Sequence, residues 1–289
     1  MKTMTRRTTL ALLTGLAASS LAGTARAETT LDRIKSTKKV TVGFVNNQPW
    51  SFRNDKGEIV GIEADIIRAV LGKFGVEIET ATTEFNGLIP GLQARRFDMS
   101  NGGLFITPQR CKLVAFSDPY LRVADGVIVK AGNPQNIHSY KDIADNPALR
   151  LGASRGSVNA QNAEYAGVAT SRMLLLPDAQ SVVSALLADR LDAATFSLGL
   201  AVALLRDPNV KGLERAMPFK GAILPNGEEK LGHAAFAFRP EDNDLRQVFS
   251  AGIAELAANG SLTTILQRYG FSANDLPSGA RAEQLCQAV

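Results

Sequence analysis

Residues 40–101 read VTVGFVNNQPWSFRNDKGEIVGIEADIIRAVLGKFGVEIETATTEFNGLIPGLQARRFDMSN, and the order of their patterns decides the fold. Residues 40–45 are an apolar, β-branched run that stops at the polar turn Asn46, Asn47, Gln48, Pro49. A second turn signal, Asn54 to Gly57, follows. Ile62, Ile66, Ile67, Val70, Leu71 and Phe74 then recur at helical spacing, and Gly75 is placed to end that helix. Residues 77–82 read as the next strand. Residues 86–96 read as a helix with Leu88, Ile89 and Leu92 on one side; Pro90 falls in its first turn, where a missing N–H costs little. Residues 98–101 supply a third strand. This β-α-β-α-β alternation predicts an α/β fold, with a parallel sheet covered by helices on both faces.

A second unit of the same kind begins near residue 136. Residues 149–153, 173–176 and 192–196 read as strands, and residues 140–144, 156–166 and 179–188 as helices, the second of them led by Gly156. Between the units, residues 124–131 form a β run, matched late in the chain by residues 233–238. Two helical runs close the sequence, with Leu245, Val248, Phe249, Ile253 and Leu256 in the first and Leu262, Ile265 and Leu266 in the second. They have no sheet of their own, so they are expected to return to the first unit. The two β runs are then the only crossings between lobes, which makes a hinge.

The first residues read as an export signal. MKTMTRR is a basic start, LALLTGLAASSLAG is too short and too rich in small polar residues to span a bilayer, and Ala25-Arg26-Ala27 is a small-x-small cleavage site. Cleavage after Ala27 is expected, with periplasmic release. Arg6-Arg7 leaves the general secretory and twin-arginine routes both open. The segment holds Lys2, Arg6, Arg7 and Arg26 and no acid, so its loss reduces 32 basic residues to 28, equal to the 28 acidic ones. A neutral mature chain gives no reason to expect nucleic acid or an anionic membrane as partner. The two cysteines, Cys111 and Cys286, are either a disulfide or two buried thiols, and export favours the bridge. Closing so long a loop would contribute on the order of 4–5 kcal/mol.

Much is missing for catalysis. Only His138 and His233 are present, neither at metal-ligand spacing, so no metal and no cofactor is expected. No nucleophile elbow, Walker loop or dinucleotide fingerprint occurs. The chain is expected to be a binder and not an enzyme.

Several motifs then converge: an aromatic after N-x-P, Gly61-Ile-Glu-Ala-Asp65, IPGLQARRFD at 89–98, TPQR at 107–110 and FSDPY at 116–120. Together they resemble the polar amino-acid class of periplasmic solute-binding proteins of ABC importers. Within that class GLFITPQRC, SYKDIADNP at 139–147, DPNV at 207–210 and YGFSA at 269–273 resemble the ectoine and hydroxyectoine binders. The resemblance implies the type II periplasmic-binding fold: two lobes, each a mostly parallel sheet flanked by helices, joined by two hinge strands. Lobe 1 is expected to take residues 28–127 and 234–289, and lobe 2 residues 128–233. A monomer that delivers a small zwitterion to membrane permease subunits is the implied function.

The resemblance also implies a site. Arg110 matches the arginine that grips the ligand's carboxylate, a pairing suited to a guanidinium fork. Gly156, Ser157 and Val158 open a helix whose free N–H groups would meet the same carboxylate from lobe 2. Trp50, Phe85 and Phe105 would wall the site and attract a delocalised cation, with Trp50 expected outside the core. Phe196 and Ser197 follow the segment Asp189-Arg-Leu-Asp-Ala, and Ser197 stands where binders of α-amino acids carry an aspartate for the ammonium. Asn47 stands where ectoine binders carry a glutamate, which keeps a polar amino acid or an opine-like solute open as ligand. A cyclohexadienyl dehydratase on the same fold is the enzymatic alternative; it needs a general acid, for which Glu84 and Asp118 are the candidates.

Overall fold

The computed structural model describes residues 28–287; the expected signal segment 1–27 and its cleavage site lie outside the described residues. The first alternation closes as a parallel sheet. Lys39–Phe44 lies between Glu77–Thr82 and Met99–Asn101, with Val42 opposite both Thr80 and Met99. Gly43 lets Phe97 approach the sheet, since a Cβ there would lie 2.5 Å from the Phe97 ring. Helix Ile62–Leu71 covers one face with Ile62, Ile66, Ile67, Val70 and Leu71, and Gly75 stops the chain in the left-handed conformation at φ 65°. The opposite crossover is shorter than its sequence suggests: a single turn at Phe85–Gly87, then helix Leu88–Gln93. Helices Asn243–Ala258 and Ser261–Arg268 return to this lobe, where Leu245, Phe249, Ile253, Leu262 and Leu266 join the cluster of Ile62, Ile66 and Val70.

The second sheet has the order Met173–Leu176, Leu151–Ser154, Ala193–Ser197, Asp125–Lys130, Leu213–Arg215. Its first three strands are parallel, and Asp125–Lys130 runs antiparallel to both of its neighbours, Ala193–Ser197 and Leu213–Arg215. One apolar cluster forms around Val127, Tyr140, Leu151 and Ala163, and another around Ile128, Val182, Leu186, Phe196 and Leu204.

The connection between lobes differs from the sequence expectation. Asp125–Lys130 is a full strand of the second sheet, so a boundary between residues 127 and 128 falls inside it. Just before it, Leu121–Val123 pairs antiparallel with Gly232–Ala234, and Ala115–Phe116 pairs with Ala237–Phe238 in the first lobe. The late β run is thus two short strands interrupted at Ala235 and Phe236. Four helices, Thr30–Thr37, Pro108–Cys111, Leu198–Leu205 and Ala282–Gln287, were not expected from the sequence.

Cys111 and Cys286 are joined, with Cα atoms 5.7 Å apart, and there is no free cysteine. The bridge holds helix Ala282–Gln287 against the short helix Pro108–Cys111, where Ala282 and Leu285 pack with Leu92 and Val114.

Candidate functional site

A cavity of about 950 Å³ opens between the lobes. Asn47, Trp50, Phe85, Phe105, Arg110, Ser157, Val158, Phe196 and Ser197 all line it. Gly156 is not among the lining residues, although its backbone reaches the site in another way.

Arg110 is placed by a short, well-specified element. Thr107 caps the helix Pro108–Cys111 by accepting the Arg110 N–H at 3.2 Å, and Pro108 occupies the first turn, where its ring fits. The guanidinium is buried. Its Nη1 donates to the Phe105 carbonyl at 2.6 Å and its Nη2 to the Gly156 carbonyl, across the cleft, at 2.9 Å. The guanidinium carbon lies 5.6 Å from the Phe85 ring centre, so one face of Phe85 already stacks on the protein's own cation. Among the described residues no carboxylate pairs with Arg110. Burial lowers its pKa to about 10.

Lobe 2 faces it with the helix Val158–Tyr165. Gly156, at φ 76°, turns the chain between strand and helix, a conformation that favours glycine. The turn aims the Gly156 carbonyl at Arg110, so the residue expected to offer an N–H offers an acceptor. Ser157 spends its N–H on the Ser154 carbonyl at 3.1 Å and caps the Ala160 N–H with its hydroxyl at 3.3 Å. The N–H groups of Val158 and Asn159 have no protein acceptor among the described residues and remain for an anion.

Behind this helix start lies a buried polar group that was not singled out in the sequence. Asp125 accepts from the Tyr140 hydroxyl at 2.7 Å, from Asn162 Nδ2 at 2.9 Å and from Asn159 Nδ2. Tyr140 also bonds the Thr195 hydroxyl. Burial raises the Asp125 pKa despite these bonds. Asn159 and Thr195 themselves reach the cavity. Asn at the start of a helix and Asp at the start of a strand gave no periodic signal by which to find them.

Trp50 departs from expectation. It is 2 % exposed and belongs to the main core of lobe 1, while one edge still lines the cavity. Its ring lies on Gly103, where a Cβ would come within 2.5 Å of the indole, and Phe105 meets it edge-on at 6.0 Å between centroids. Phe105 is likewise nearly buried. Asn47 is held by paired backbone bonds with Ser51, of 2.7 and 3.1 Å, and its side-chain amide makes no hydrogen bond among the described residues. Ser197 stands in the N-cap position of helix Leu198–Leu205 but makes no capping bond, which leaves its hydroxyl to the cavity. That helix adds an apolar wall of Leu200, Ala203 and Leu204. Of the two candidate general acids, Glu84 lines the cavity, whereas Asp118 is turned to the tail, accepting from Arg281 and the Ala282 N–H.

The description "Bacterial extracellular solute-binding proteins, family 3" matches residues 40–272. The chain is 32% identical over 245 residues to a probable amino-acid ABC transporter periplasmic-binding protein, y4tE, of Sinorhizobium fredii, covering 84% of this chain and 80% of that one. It is 29% identical to the L-arginine-binding protein of Pseudomonas aeruginosa, covering 90% and 95%. Among solved structures, EhuB in complex with hydroxyectoine matches with a TM-score of 0.81 at 32% identity, covering 91% of this chain and 100% of that one.

Proposed function

The chain belongs to the bacterial extracellular solute-binding proteins, family 3, and from that premise we propose that it is the periplasmic receptor of an ABC importer for a small zwitterion, ectoine or hydroxyectoine. Its two lobes have the type II periplasmic-binding fold. One observation carries the reading: a buried guanidinium without a carboxylate partner faces, across the cleft, the start of a helix with two free N–H groups. A ligand carboxylate between them supplies the missing charge to Arg110 and an acceptor to Val158 and Asn159. The ligand's delocalised cation lies among Trp50, Phe105 and the open face of Phe85. Ser197, a hydroxyl and not a carboxylate, suits such a cation better than a primary ammonium.

Because the carboxylate touches both lobes, binding favours the closed arrangement by its differential affinity. Closure pivots where Leu121–Val123 pairs with Gly232–Ala234, with residues before and after as the two lobes. The exported chain then acts as a monomer that presents the closed form to the permease.

Two features support a larger ligand as a second reading. Asn47 supplies no charge for a ring N–H, and about 950 Å³ is several times what so small a ring compound fills. An opine-like zwitterion or a polar amino acid would use the same carboxylate grip. The dehydratase alternative is weaker, since Asp118 faces the tail and Glu84 is an exposed carboxylate at the rim. A thermal-shift panel tests the reading. Ectoine or hydroxyectoine raises the melting temperature by mass action, and glutamine, arginine and histidine leave it unchanged. A shift with an amino acid or an opine alone overturns the ectoine assignment, and turnover of prephenate overturns the receptor.

A further inference from the structure

Beneath the cavity floor sits a carboxylate that the ligand grip does not use. Glu63, in the first turn of helix Ile62–Leu71, is fully buried. Its backbone N–H donates to the Trp50 carbonyl at 2.9 Å. Its carboxylate accepts the Gly103 N–H with both oxygens, each at 3.1 Å, and the Tyr120 hydroxyl at 2.7 Å. One residue therefore ties together two segments, 47–50 and 102–105, that are distant in sequence and bear the floor of the site. Gly103, at φ 74°, lies flat under the Trp50 indole. Two residues on, Phe105 meets Trp50 edge-on and lends its carbonyl to Arg110. A contiguous run of contacts thus leads from Glu63 through Gly103 and Phe105 to the guanidinium.

We propose that Glu63 is the positioning residue that seats this aromatic floor against Arg110, and that its ionised carboxylate is the form in which the floor is fully seated. The proposal rests on reading the cavity as the ligand site. Only the carboxylate can accept the Gly103 N–H with both oxygens while also accepting from Tyr120; the acid has to turn one oxygen into a donor. The group is poised to switch. Burial raises its pKa to about 7, against the opposing pull of Tyr120 and of the Gly103 and Gly102 N–H groups. Tyr120 is the titratable side chain that faces it; Asp65 on the same helix is engaged by Arg268 and Tyr269. Ligand affinity is therefore highest above neutrality and falls as the carboxyl takes up its proton.

Trp50 is the chain's single tryptophan, so its emission reports the floor directly, with no ligand present. The test follows that emission in the full chain from about pH 5 to about pH 9 in wild type, Glu63→Gln, Tyr120→Phe and His233→Gln. His233 is included because Gly232, its neighbour, packs under the Phe105 ring, and burial lowers the His233 pKa. The expected result is one transition near pH 7 in wild type, kept in His233→Gln, absent in Glu63→Gln and moved to higher pH in Tyr120→Phe. With ectoine as probe, wild-type affinity falls about tenfold between pH 8 and pH 6, and the Glu63→Gln affinity stays level. A flat wild-type trace, or an unchanged transition in Glu63→Gln, overturns the proposal. If ectoine binds neither protein the ligand assignment falls, and the emission arm still decides the role of Glu63.

Discussion

The two walls of the cleft are built by opposite means. Lobe 1 presents rings and a cation on turns that follow parallel strands, and each turn is fastened from outside the strand that feeds it. Trp50 is fixed by Gly103, and Arg110 by the Thr107 cap and the carbonyls of Phe105 and Gly156. Cys286, from the far end of the chain, fastens the same short helix. Lobe 2 presents small polar groups at the starts of two helices, and the first of these helices is fastened from beneath by the Asp125 cluster. Lobe 1 thus supplies charge and surface, and lobe 2 supplies directional donors. A desolvated charge is costly to remove, whereas a single neutral donor contributes little. The contrast implies that damage on the lobe 1 side is severe and damage on the lobe 2 side is graded.

The largest effect is expected at the bridge. Cys111→Ser with Cys286→Ser frees a loop of 175 residues' separation, and the chain-entropy model puts the loss of stability at about 5 kcal/mol. Urea unfolding with and without reductant measures it. If the double variant is as stable as wild type, the tail does not brace lobe 1. Next comes Arg110→Ala, expected to weaken ligand binding by roughly 2–5 kcal/mol, as for a desolvated charge pair. Calorimetry with ectoine reads it. Unaltered affinity would place the carboxylate elsewhere and erase the asymmetry between the walls.

How far the sequence revealed these walls depends on how local each cause is. Arg110 was singled out through the resemblance that TPQR carries; the cap and first turn at Thr107 and Pro108 that place it were not read from the sequence. The first crossover helix was legible from the spacing of Ile62, Ile66 and Val70. Trp50 was misread as lying outside the core because its cover is Gly103, which lies in another turn; no local pattern joins them. Helix Leu198–Leu205, LGLAVALL, is apolar on every side, so it has no period to detect. Gly156 was read as leading the helix, which starts two residues later, and only the backbone angle decides whether its carbonyl or its N–H faces the cleft. The strand Asp125–Lys130 was seen as a strand; its assignment to the second sheet rests on pairing with Ala193–Ser197, far away in sequence.

Each wall also buries one carboxylate, Glu63 in lobe 1 and Asp125 in lobe 2, and burial raises both pKa values. For such a group the folded state holds its proton more tightly than the unfolded state. The stability it contributes is therefore largest below the unfolded pKa and declines as pH rises through the folded one. For Glu63 that window runs from 4.5 to about 7 and corresponds to about 3 kcal/mol. The difference in unfolding free energy between wild type and Glu63→Gln should shrink or reverse by that amount across the window, in denaturant titrations at several pH values. Stability and affinity then respond to pH in opposite senses, since the charged form that costs stability is the one that seats the floor. A difference independent of pH would mean that Glu63 does not titrate in this range.

The smallest effects separate two serines of lobe 2 that occupy the same formal position. Both precede a helix, yet Ser157 caps Ala160 at 3.3 Å and Ser197 caps nothing. Ser157→Ala should therefore cost about 1 kcal/mol of stability, the usual loss of a helix cap. Ser197→Ala should change stability by less than about 0.5 kcal/mol, because no bond within the protein is broken. Binding should reverse the order. Ser197 keeps its hydroxyl for the cavity, so its loss weakens the ligand by about 1 kcal/mol, the net value of one neutral hydrogen bond. Thermal unfolding and calorimetry on the two single variants give four numbers that must cross. If Ser197→Ala destabilises the fold as much as Ser157→Ala does, its hydroxyl serves the helix and not the ligand, and the donors of lobe 2 reduce to the backbone at Val158 and Asn159.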